Sequence, residues 1–245
     1  MKNKLFNFVL AICLIIPCAF MFSACGSNSD LTKEDYIEAF ESVTTTYDQY
    51  LTSAQPASMY LNANITSDDF IDVDNNESAK RMAKASLAMV HFMKNICENE
   101  NYTLKTTPED CVVNDGNEIY DIRMTMSYNT TTSIINAGTY VDYRDSTTLQ
   151  YFLFEINYDF NTKTLNSFSI LGLSGTDTEK TSAGVRYYTF ENNTLKVLDN
   201  TAESFEPFAQ EILAEMEILS TPERETNPAD YSAEYIAAMN TAQGE

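Results

Sequence analysis

Apolar residues recur at three- and four-residue steps early in the chain. Tyr36, Ile37, Phe40, Val43, Tyr47, Tyr50 and Leu51 fall on one side of a helix, with Glu34, Glu38, Glu41 and Asp48 largely opposite. Thr32 is placed to cap this helix, Asp35 holds the fourth capping-box position, and Leu31 can staple onto Tyr36. The run Glu77 to Glu98 keeps the helical period: Met82, Ser86, Met89, Val90, Met93 and Cys97 share one side, and Lys80, Lys84, His91 and Lys94 the other. From about Tyr102 to Leu198 the period falls to two. In "YDIRMTMSY", Tyr120, Ile122, Met124, Met126 and Tyr128 alternate with Asp121, Arg123, Thr125 and Ser127, which predicts a strand with one buried face. Phe152, Phe154, Ile156 and Tyr158 predict a second strand, a polar turn near Asn161 leads to a third through Phe168 and Ile170, and a hairpin is expected around Asn192 and Asn193. A strand near Tyr140 stays an open reading. Helical spacing returns with Phe205, Phe208, Ile212, Leu213, Met216 and Leu219, stops at Pro222, and resumes after Asn227 and Pro228 with Tyr231, Tyr235, Ile236 and Met239.

Short polar turns between consecutive strands predict an antiparallel meander. Helices, then strands, then helices predict an α+β fold in which the N-terminal and C-terminal helices pack on one face of the sheet. A single domain over residues 31–240 is expected, with residues 241–245 as a frayed tail. Asp121, Arg123, Thr125, Glu155, Asn157, Ser167 and Ser169 then share the other, open face. They are the candidate binding surface, against the plainer reading of a solvated face.

Charge narrows the partners. The chain has 15 basic and 36 acidic residues and a formal net charge of −21, which opposes nucleic-acid phosphates and anionic headgroups alike. Fifteen Tyr and 14 Phe make it a folding chain and not an acidic disordered tail.

The N-terminus bears on location. Lys2 and Lys4 precede an apolar run from Leu5 to Ala24 broken only by Asn7 and Ser23, the pattern of a secretory signal. Phe22, Ser23, Ala24 and Cys25, continued by Gly26 and Ser27, resemble the lipobox of bacterial lipoproteins. That resemblance covers residues 1–25 only. It implies that residues 1–24 are removed, that Cys25 is diacylated on sulfur, and that residues 25–30 tether the domain to the outer face of the cell membrane. Two acyl chains suffice for stable anchoring. A retained membrane helix is the alternative that length alone allows, and it too leaves the rest of the chain outside the cytoplasm.

Cys97 and Cys111 are left in the mature chain, either as a disulfide closing a loop of about 15 residues, which would contribute ~3 kcal/mol, or as two buried thiols. With one histidine, a Cys/His zinc site lacks its fourth ligand, and no cofactor or metal is expected. Asp72, Asp74 and Asn76 follow the start of a calcium loop, but Glu77 stands at the turn glycine and Ala83 at the closing glutamate, so a solvated, helix-capping loop is the better reading. Gly172, Leu173, Ser174 and Gly175 begin a nucleophile elbow that Thr176 fails to complete. His91 on the charged helix side is read as an exposed imidazole, and a thiol dyad with Cys111 is disfavoured. The expectation is a lipid-anchored, non-enzymatic binding or accessory module for an envelope protein or solute. The alternative is a carboxylate-dependent cell-envelope hydrolase.

Overall fold

A computed structural model describes residues 31–53, 67–72, 77–105, 107–176, 184–191, 194–219 and 224–243. Cys25, Asp74, Asn76, Asn192, Asn193 and Pro222 lie outside the described residues, as do the side chains of Lys80, Lys84 and Met82. The helices are α1 (Lys33–Ser53), α2 (Glu77–Glu98), α3 (Phe205–Leu219) and α4 (Ser232–Gln243). The strands are β1 (Phe70–Asp72), β2 (Glu109–Asn114), β3 (Ile119–Asn129), β4 (Ile134–Tyr143), β5 (Thr148–Asp159), β6 (Thr164–Thr176), β7 (Val185–Glu191), β8 (Thr194–Leu198) and β9 (Ala229–Asp230). They form one sheet in the order β1-β8-β7-β6-β5-β4-β3-β2-β9. β2 through β8 are an antiparallel meander, and only β9 runs parallel to its neighbour, β2. The fold is α+β.

The first helix starts as its sequence requires. Thr32 N–H donates to Asp35 Oδ2 at 2.7 Å and Asp35 N–H donates to Thr32 Oγ1 at 3.3 Å, a reciprocal capping box. Tyr36, Phe40 and Val43 enter a core shared with Val90, Phe92, Met93 and Ile96 of α2 and with Ile122, Met124, Phe154, Ile156 and Ile170 of the sheet. α4 closes this layer: Tyr235 stacks edge-on against Phe92 at 5.4 Å, and Asn95 Nδ2 donates to the Glu234 carbonyl at 2.9 Å. Lys33 Nζ donates to the Asn99 and Tyr102 carbonyls, both at 2.9 Å, and so ties the start of α1 to the chain leaving α2.

α3 departs from the expected layering. Phe205, Phe208, Ala209 and Ile212 pack with Tyr140, Tyr151, Leu153, Leu171, Leu173 and Tyr187 on the opposite face of the sheet. Phe208 lies 5.3 Å from the Tyr187 ring. The physical reason is that β5 and β6 carry apolar residues on both faces, so a second apolar patch needs its own cover. The same double burial explains β4, whose Ile135, Ala137 and Val141 face one layer while Tyr140 faces the other and blurs the alternation.

Candidate functional site

Strand register puts all seven candidate face residues on the second face. Asp121 lies across from Asp142, Arg123 from Tyr140 and Thr125 from Gly138, while Glu155 pairs with Ser169 and Asn157 with Ser167. Two groups result, one on β3 and one on β5–β6, with β4 between them. The expectation of an open face needs correcting: Glu155, Ser167 and Ser169 are buried, and Arg123 is nearly so. Alternation reports which face a side chain takes, and chain packed over that face changes its exposure without changing the pattern.

The β3 group belongs to a charged lattice. Arg123 grips Asp110 with two bonds, Nε to Oδ1 at 2.8 Å and Nη2 to Oδ2 at 3.1 Å. The Glu225 N–H also donates to Asp110 Oδ2, at 2.8 Å. Burial would raise the Asp110 pKa, but these bonds outweigh it and hold the carboxyl below its ordinary range. Arg224 lies over the Tyr140 ring at 5.8 Å with Nη2 3.8 Å from Asp142 Oδ2. Arg144 is bidentate to Asp121 at 2.6 and 3.1 Å. This lattice straps the chain at Arg224 and Glu225 across the second face.

At the sheet end beside that lattice, the β2–β3 hairpin and the β4–β5 turn form a cavity of about 310 Å³, open to solvent on one side and lined by Asn114, Gly116, Asn117, Glu118, Ile119, Tyr143, Arg144, Asp145 and Ser146. Gly116 adopts φ +88°, which suits glycine. Asp115 Oδ1 accepts the N–H groups of Asn117 at 2.9 Å and Glu118 at 2.8 Å, and these bonds keep the carboxyl ionised below its ordinary pKa. The single proton of the Tyr120 hydroxyl has two carboxylate acceptors in range, Glu118 Oε2 at 2.9 Å and Asp115 Oδ2 at 3.0 Å; burial, then these acceptors, push its pKa up. The wall offers carboxylates, amides, a guanidinium and an aromatic edge, which is chemistry for recognising a polar group. Strand alternation does not point to it. The usable signal was two polar turns, "NDGN" and "RDS", which a meander brings to one end of the sheet.

The remaining candidates stay apart. Cys97 and Cys111 are buried free thiols, and burial pushes Cys97 up to about 12 and Cys111 upward as well, which disfavours a thiolate nucleophile. Cys97 Sγ lies 3.8 Å from Met126 Sδ. His91 is partly buried on α2, where the sequence suggested an exposed ring. Lys94 of the lysine side reaches Glu98 at 2.6 Å and Glu41 at 3.3 Å. Gly172 to Gly175 lie inside β6. Among the described residues no three His, Cys, Asp or Glu side chains gather to hold a metal ion. Compared with protein-family models, with curated proteins and with solved structures, the chain matches none.

Proposed function

We propose that this chain is a cell-envelope lipoprotein, anchored through diacylated Cys25 to the extracytoplasmic face of the cell membrane, whose folded domain binds a polar solute or envelope protein and does not catalyse. The observation that carries the binding half is the sheet-end cavity: it gathers Glu118, Tyr143, Arg144 and Asp145 around about 310 Å³ with no nucleophile held against a base among them. The anchoring half rests on the N-terminal sequence alone.

Cys25→Ala should leave unprocessed precursor and abolish acylation detected by mass spectrometry of the mature N-terminus. A wild-type protein that keeps Met1 to Ala24 would refute the anchor. For binding, the purified domain screened against envelope solutes and extracts should lose its ligand on Arg144→Ala, with the fold kept. A carboxylate-dependent hydrolase is the second reading. Glu155 favours it, since its burial raises the pKa to about 7, a value suited to a general acid. Against it, Glu155 is 6 % exposed and no second carboxylate among the described residues acts on it. Turnover of an envelope glycan or peptide, lost on Glu155→Gln in a folded protein, would establish that reading.

A further inference from the structure

Glu155 sits in the middle of the second face, in a row read across the sheet from Asn136 of β4 through Glu155 of β5, Ser169 of β6 and Thr189 of β7 to Lys196 of β8. The carboxyl accepts one hydrogen bond among the described residues, from Ser169 Oγ to Oε2 at 3.2 Å. Thr189 is fully buried, and its Oγ1 finds no hydrogen-bond partner there. Among the described residues, the neighbours of Glu155 on this sheet face are uncharged: Asn136 and Ser169 on the flanking strands, Leu153 and Asn157 on its own. Lys196 stands three strand spacings away, roughly 14 Å, and has a contact of its own. α3 contributes Phe208 and Ile212 to this side of the sheet, while its Glu206 and Glu211 are exposed. One step along the same strands, Leu153, Leu171 and Tyr187 form the apolar patch on which Phe208 rests.

An ionised carboxylate in such a place has no counter-charge and a single donor among the described residues. We propose that Glu155 is a proton-responsive latch: protonated, it lets the second face close dry; ionised, it draws water in beside the Leu153–Leu171–Tyr187 patch and loosens α3. The latch does not depend on what the sheet-end cavity binds. Burial, opposed only by the Ser169 bond, lifts the pKa from 4.5 to about 7. The folded state therefore holds a proton that the unfolded chain has released. Closure is fully favoured below about pH 4.5 and is lost as pH rises through about 7.

The test is amide hydrogen exchange, corrected for intrinsic rates, from pH 5 to pH 8, on wild type and on Glu155→Gln, which mimics the protonated side chain. Protection of α3 in wild type should drop roughly a hundredfold across that interval, at tenfold per pKa unit. The α2 amides should drop less, and Glu155→Gln should hold α3 level. Equal losses in α2 and α3, or the same α3 loss in Glu155→Gln, would overturn the latch. Infrared spectroscopy of wild type gives a second readout that needs no variant to fold: a protonated carboxyl band should persist at pH 6, and its absence at pH 5.5 would end the proposal.

Discussion

At the scale of single residues, the Arg123–Asp110 pair is the clearest case of charge holding structure. Removing the guanidinium leaves a buried carboxylate whose described donor is then the Glu225 N–H. Breaking a buried pair from one side costs about 3–5 kcal/mol, and Arg123→Ala should fall at the low end because that donor remains. Urea unfolding at pH 7 measures it. The pH sign follows from the lowered Asp110 pKa: the pair stabilises the fold above the unfolded carboxyl's pKa, and the contribution disappears as pH falls through the lower folded value. The Arg123→Ala curve should therefore lose part of the acid-side decline seen in wild type. Sequence alternation was enough to put Arg123 and Glu155 on the same face. It could not show that one would find an ion-pair partner on β2 and the other none among the described residues, because partners come from register and not from period.

Among elements, α3 is held to the sheet by an apolar set that includes the Phe208–Tyr187 contact. Phe208 is buried against Tyr187, so Phe208→Ala should cost about 3–5 kcal/mol, read as a lower denaturant midpoint with near-unchanged signals from α1 and α2. The β6–β7 junction is a second sensitive point. A Cβ on Gly184 would stand 2.2 Å from the Ser174 carbonyl oxygen, a contact that only backbone movement relieves. Gly184→Ala should destabilise by about 1–3 kcal/mol, checked by thermal melting, with lost exchange protection centred on Val185. The extent of α2 was legible because period and stripe agree over Glu77 to Glu98. The side of the sheet taken by α3 was not, since its stripe fits any apolar patch, and the second patch is visible only once Leu153, Leu171 and Tyr187 are aligned across three strands.

For the whole molecule, closure runs through the C-terminus. β9 lies along β2, Tyr231 and Ala238 are buried, and Tyr235 touches both Phe92 of α2 and Tyr120 of β3. Ending the chain at Asn227 should expose this layer, increase binding of a hydrophobic dye and lower cooperativity in urea; a truncated domain that melts as sharply as the full one would show that α4 is dispensable. The strand lengths carry a further consequence. β6 has 13 residues and β5 has 12, whereas the outermost strands β1 and β9 have three and two. Outermost strands of three and two residues give an incoming chain only a short edge to copy at either rim. Concentrated solutions of this strand-rich protein should therefore resist seeding into fibrils, and agitation should yield amorphous material before any ordered polymer.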